Sequence, residues 1–233
     1  VLDPSHDSVP FERRPSGSPA IAALLAAGVI RPQDRVLDMC CGEGPDSLLL
    51  ACSGVESVLG IESVASARAT ASRVARIHEV SQNVRFVGGD LLEHLKRLQP
   101  ESFHVLVDTL AFENAKQMKG GQWLTNARTV AKRERVLVRE IARVIAPGGI
   151  WIAHTRTQSH FGRRPFSAME PSAVFPADAE RYFDLSYAYP SHLAEFHRRD
   201  AADDDDGTER PGEEGLRREF GTVYVGVARR LNG

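Results

Sequence analysis

The chain has 233 residues, 42% of them hydrophobic and 26% charged, which suits a globular protein of one large domain with a sizeable core. A formal net charge of -2 gives no electrostatic reason to expect nucleic acid or an anionic membrane as partner. Three cysteines are too few for a disulfide framework, no apolar run approaches the roughly 18 residues that span a bilayer, and the first residues lack the core of a secretory signal, so the expected location is the cytoplasm.

Residues 1–17 predict an extended arm rich in proline and serine, a possible lid. Ser18 and Pro19 then open a short Ala/Leu helix as N-cap and first-turn residue, and Gly28 stops it. "RVLDM" from Arg35 reads as a buried strand, and Pro45 to about Cys52 as a helix. "ESVLGIE" predicts a second strand, Ser63 to about Val80 a long helix capped by Ser63, and "NVRFVGG" a third strand. "DLLEHLKRL" predicts a helix and "SFHVLVDTL" a fourth strand. After a looser stretch come a helix from about Thr129 to Ile145, a turn at Pro147-Gly148-Gly149 and the strand "IWIAHT".

"YFDLSYAYP" and "GTVYVGVARR" predict two final strands with no strong helix between them, an arrangement that favours antiparallel pairing. Residues 198–219 between them are charged and nearly free of apolar groups, so they predict an acidic flexible loop. The run Asp203 to Asp206 lacks the turn spacing of a calcium loop, and no metal site is expected. The repeated alternation of short apolar runs with helical segments predicts an α/β fold. Its form is a doubly wound, mostly parallel seven-stranded sheet with an antiparallel C-terminal strand, helices on both faces and so an antiparallel edge. Residues 18–233 are expected to form one domain.

The first strand runs into "DMCCGEGPD", a glycine turn at the head of a helix. In a doubly wound sheet ligands sit at the carboxyl ends of the strands, where such a turn offers backbone N–H groups and close approach. Glu62 stands at the end of the second strand, where a carboxylate accepts both hydroxyls of a ribose. The nicotinamide fingerprint G-x-G-x-x-G is incomplete here, and Asp46 at the helix start would repel a pyrophosphate.

The turn closely resembles the first motif of class I S-adenosylmethionine-dependent methyltransferases, an apolar strand ending in an acid and followed by G-x-G-x-G. The resemblance extends over most of the chain: Glu62, Asp90 and Asp108 end the second, third and fourth strands, and "LVREIARVIAPGGIWIAHT" looks like the family's helix, Pro-Gly-Gly turn and fifth strand. It implies S-adenosyl-L-methionine as cofactor and S-adenosyl-L-homocysteine as product. By position, Asp38 would sit near the methionine end, and Cys40, Gly42 and Gly44 would line the cofactor with backbone. Glu62 and the adjoining Ser63 would hold the ribose, Asp90 and Leu91 the adenine, and Asp108 to Phe112 would face the methyl group. Cys40 replaces the family's first turn glycine, and Glu43 stands where many relatives have a small hydroxyl residue.

Within that resemblance the main task is alignment of a nucleophile with an already electrophilic methyl group, and a general base is optional. Candidate proton acceptors are Asp108, Glu113 and His154. Arg13 and Arg14 of the arm, with Phe112 and Trp123 after the fourth strand, are candidate substrate contacts. The expected acceptor is an O, N or S atom of a small molecule. RNA or protein methylation, and a non-catalytic cofactor-binding or interaction protein, are the alternatives. Asp38, Glu43 and Asp46 surround the cysteine pair with negative charge, so Cys41 is expected to pack in the core and Cys40 to shape the turn, with no redox role.

Overall fold

The structure, a computed structural model, describes residues 17–109, 111–112, 115, 118–119, 122–156, 175–189 and 223–231. The arm at 1–16, with Arg13 and Arg14, and the acidic segment 198–219 lie outside the described residues, as does Glu113. Seven strands form one sheet: β1 (Arg35–Met39), β2 (Ser57–Ile61), β3 (Val84–Val87), β4 (Phe103–Thr109), β7 (Ile145–Arg156), β8 (Phe183–Tyr189) and β9 (Val223–Arg230). Their spatial order is β3-β2-β1-β4-β7-β9-β8. A separate two-stranded ribbon, β5 (Met118–Lys119) and β6 (Gln122–Trp123), follows β4.

Strand residues alternate between two helix layers, as a sheet covered on both faces requires. Val36, Val58, Val105, Val107, Ile150 and Ile152 pack toward α1 (Pro19–Ala26), α2 (Pro45–Cys52) and α3 (Ala65–Ile77). Leu37, Met39, Ile61, Leu106, Trp151 and Ala153 pack toward α4 (Leu91–Arg97) and α5 (Ala127–Val144). Helix α1 starts where expected, with Ser18 Oγ accepting from the Ile21 N–H at 3.3 Å, and Gly28 turns left-handed just past its end.

The C-terminal strand β9 is the reversed one, antiparallel to both β7 and β8; it lies inside the sheet, with β8 at the edge. Its residues Val225, Gly226 and Val227 have both backbone edges paired, which an interior position provides. Ser63 does not cap α3, whose N-cap residue is Val64: its hydroxyl donates to Glu62 Oε1 instead, one residue too early to reach the first-turn amides. Helix α5 begins at Ala127 because Asn126 Oδ1 accepts from the N–H groups of Arg128 and Thr129.

The Pro147-Gly148-Gly149 segment is an irregularity within β7 rather than a turn ahead of it. Phe103 pairs with Ile145 and Val105 with Ile150, so Ala146 to Gly149 stand opposite His104 alone. A Cβ at Gly149 would lie 2.7 Å from the His104 carbonyl oxygen, which is why glycine occupies the crowded point.

Helix α5 clamps α4 at both ends. Arg143 donates to the carbonyls of Leu95 and Leu98 at the C-terminal turn of α4, where a cation meets the negative end of the helix. Arg133 reaches Asp90 at the opposite end, where Oδ1 of Asp90 also accepts from the Glu93 N–H as the N-cap of α4.

Candidate active site

Strand order reverses between β1 and β4: the chain proceeds outward through β2 and β3, then returns to the other side of β1. That switch point opens a crevice at the carboxyl ends of the strands. There Met39 pairs with Asp108 across the two strands, and the glycine turn leaves β1 directly above.

The turn is built from left-handed residues. Cys40 has φ 51°, Gly42 57° and Gly44 76°, and the turn closes with the Gly44 N–H donating to the Cys41 carbonyl at 2.8 Å. Gly44 then serves as N-cap of α2, with Pro45 in the first turn, where its missing N–H costs nothing. Gly44 is also a packing requirement, since a Cβ there would meet the Phe86 ring at 2.9 Å. Gly42 differs, for among the described residues nothing lies within 4 Å of its Cβ direction. The turn is thus closed against the fold at Gly44 and open at Gly42.

Asp38 lies in β1 just ahead of this turn, Asp108 pairs with Met39 beside it, Glu62 accepts from its Gly42 N–H, and Asp90 heads α4 after β3. Burial first, and then those carboxylates, push the Cys40 pKa up to about 12, and burial likewise raises that of Cys41. Neither thiol ionises near neutral pH, and none of the three cysteines is disulfide-bonded. Cys41 is buried, with its sulfur 2.7 Å from the Cβ direction of Gly60.

Each acid is held by the fold. Asp38 is buried and accepts from Ser47 Oγ in α2. Burial, followed by the nearby Asp46 carboxylate, pushes its pKa up to about 8, against the lowering effect of the Ser47 hydrogen bonds. Glu62 Oε2 accepts from the Gly42 N–H at 3.0 Å, and Oε1 from the Val64 N–H at 2.8 Å, so the acid at the end of β2 braces the turn. Asp108 Oδ1 accepts from the N–H groups of Ala111 and Phe112, both at 2.8 Å, fixing the start of the segment after β4. Both oxygens of Asp90 accept from Arg133 Nη2 at 2.8 Å.

The remaining candidates are dispersed. Leu91 is buried beside Asp90 at the head of α4, and Ser63 lies next to Glu62. Phe112 is buried, its ring 5.5 Å from Trp151 in a cluster with Phe175 and Phe183. Trp123 stands apart on the β5–β6 ribbon, 61% exposed. His154 occupies the register position beside Thr109, near the carboxyl end of β7.

A methyltransferase-domain family model matches residues 30–170. The chain belongs to that family. The class I S-adenosylmethionine-dependent resemblance therefore holds, and the sheet is the family's Rossmann-like one. No curated protein matches the sequence. Among solved structures, the chain is similar to the [4+2]-cyclase SpnF, with 19% identity, a TM-score of 0.56, and coverage of 92% of this chain and 82% of that one. YcgJ from Bacillus subtilis matches with 16% identity and a TM-score of 0.53, covering 92% and 99% of the two chains. A geranyl diphosphate methyltransferase in complex with S-adenosylmethionine matches at 13% identity and a TM-score of 0.53, covering 92% and 84%. At these identities the likeness concerns the fold.

Membership implies S-adenosylmethionine as the methyltransferase's cofactor, and the donor set fits that group. The crevice presents carboxylate acceptors and an open glycine backbone, which suit a ligand carrying a diol, an amino group and positive charge, and which would repel a phosphate. Glu62 already accepts protein hydrogen bonds, but a carboxylate has about four lone-pair sites, so hydroxyl donors still have places to bind.

Three charged residues around the crevice have roles that only the fold reveals. The charge of Asp46 is legible in the sequence, but its place as a buried tie is not: Oδ1 accepts from the Ser18 N–H and Oδ2 from Thr109 Oγ1 at 2.8 Å, joining α1, α2 and β4. Arg68 on α3 donates to the carbonyls of Glu62 and Ser63 and lies against Gly88, whose Cβ would meet its guanidinium at 2.4 Å. Arg133 shares the buried stripe of α5 with Leu137, Ile141 and Val144. A cation at an apolar stripe position was the signal that could have found it.

Proposed function

We propose that the protein transfers the methyl group of S-adenosylmethionine to an O, N or S atom of a small molecule by in-line displacement. The observation that carries this reading is the open glycine turn at the sheet's switch point, braced by Glu62 through the Gly42 N–H, with Asp38 and Asp108 on the two strands beside it and Asp90 at the head of α4. In this reading Glu62, with Ser63 beside it, receives the ribose hydroxyls. Asp90 receives the adenine amino group, with Leu91 against the ring. Cys40, Gly42 and Gly44 offer backbone along the cofactor, and Asp38 faces its methionine end.

When bound, the sulfonium supplies an electrophilic methyl group. The chain's own contribution is to hold the acceptor in line with it, where alignment supplies much of the rate. Asp108 shapes the acceptor side through its hold on Ala111 and Phe112. Asp108, Glu113 and His154 are the proposed proton acceptors for a hydroxyl substrate; for an amine or thiol, which can enter already deprotonated, a base is optional. Trp123, Phe112, Arg13 and Arg14 are the proposed substrate contacts. Among the described residues no helix is long and apolar enough to cross a membrane. The near-neutral charge and unbridged cysteines support a cytosolic small-molecule enzyme over one acting on RNA.

Calorimetric titration with S-adenosylmethionine and S-adenosylhomocysteine tests the cofactor site, and no heat with either ligand would sink the reading. Incubation of the protein with methyl-labelled donor and pooled metabolites then tests catalysis. Label in an organic product is expected; binding without transfer would favour a non-catalytic cofactor-binding protein.

A further inference from the structure

Two of the acids assigned to the cofactor also hold the acceptor side of the crevice, one of them through a single guanidinium. The segment after β4 is tied at its start, where Asp108 accepts from the Ala111 and Phe112 N–H groups. It is tied again at Ala115, whose carbonyl accepts from Arg133 Nε at 2.8 Å. The same arginine, with its side chain 9% exposed, donates from Nη2 to both oxygens of Asp90. The guanidinium is planar and rigid, so the direction of its Nε–H bond and the position of Nη2 are not independent. A movement of the Asp90 carboxylate toward a ligand must therefore be accommodated at Ala115.

We propose that Arg133 is a positioning residue that aims Asp90 at the cofactor's adenine amino group and, through Ala115, couples adenine recognition to the shape of the acceptor-side segment. This rests on the cofactor reading above. The chemistry explains why arginine stands there: a lysine keeps the charge but has one nitrogen, which cannot serve Asp90 and the Ala115 carbonyl with the same fixed geometry. The coupling acts in both directions, so an acceptor that holds the Ala115 backbone also tightens the hold on adenine.

The test compares S-adenosylhomocysteine with its 6-oxo counterpart, S-inosylhomocysteine, by calorimetry on the full chain and on R133K. The two ligands share ribose and amino-acid parts and differ on one purine edge, where the 6-amino donor becomes an oxo acceptor and N1 gains a proton. The wild-type protein is expected to prefer the amino form by about tenfold or more, the size of a hydrogen bond to a charged group. In R133K that preference is expected to fall by about tenfold. A merely structural role for Arg133 would weaken both ligands alike, so an unchanged ratio overturns the proposal. A second measurement needs no variant: hydrogen exchange at the amides of Ala111, Phe112 and Ala115 is expected to slow in the wild type when S-adenosylhomocysteine binds, and unchanged exchange there overturns the coupling. Failure of the wild-type protein to bind either nucleoside is a separate result, which removes the cofactor reading and this proposal with it.

Discussion

Asp38 shows what the crevice does to a single group. It is buried at the end of β1, and burial, then the Asp46 carboxylate, raise its pKa from an ordinary 3.8 to about 8. The folded state therefore keeps a proton that the unfolded chain has already lost. Between those two values the native state binds more protons, so stability falls as pH rises toward 8 and levels off above it. Asp38→Asn removes this contribution. Urea midpoints taken across that window should decline more steeply for the wild-type protein than for the variant; parallel declines would show that another group carries the slope. Cys40 illustrates a different constraint. A side chain at φ 51° costs about 1 kcal/mol relative to glycine, and the turn accommodates it because the flanking Gly42 and Gly44 take the remaining left-handed positions.

At the scale of elements, two glycines of one turn do different work. Gly44 must be left-handed and must also leave room for Phe86, so Gly44→Ala adds overpacking to strain and should cost about 2–4 kcal/mol. Gly42 has only the backbone requirement, and Gly42→Ala should cost about 1–2 kcal/mol while placing a methyl group in the open part of the crevice. Thermal melts should rank Gly44→Ala well below Gly42→Ala in stability. Calorimetry should find that Gly42→Ala, though folded, binds S-adenosylhomocysteine more weakly. Equal melting temperatures would show that Phe86 yields easily. The α4–α5 pair rests on charge as much as on apolar packing, since Arg133 and Arg143 satisfy the two ends of α4 from one neighbouring helix. Trp151, wholly buried among Phe112, Phe175 and Phe183, has an indole N–H with no partner among the described residues. The fold accepts that local cost for the apolar area the ring buries.

For the molecule as a whole, β9 is the strand that closes the sheet. It bonds β7 along one edge and β8 along the other, and among the described strands β8 has no other neighbour. A chain ending at residue 222 should lose more than a terminal strand: β8 would be unpaired and Ala228 would leave the core beside Trp151. Its urea transition should become broad, with near-ultraviolet circular dichroism weakened. A sharp transition of wild-type amplitude would show that β1 to β7 form a self-sufficient unit.

The sequence by itself determined the α/β alternation, the seven strands of the sheet and the acids at the ends of β1 to β4. These features are written locally, in apolar runs, glycine turns and residues that follow a strand. It also carried the family, because the motif order along the chain is linear information. Only the tertiary structure decided that β9 enters between β7 and β8, since a pairing rule says that two strands are antiparallel without saying which one lies inside. Only the fold joined Asp90 to Arg133 and Asp46 to Ser18 and Thr109, contacts between residues far apart in the chain. Local pattern predicts where a carboxylate stands. Which partner holds it depends on the packing of helices whose contact no single stretch of sequence encodes.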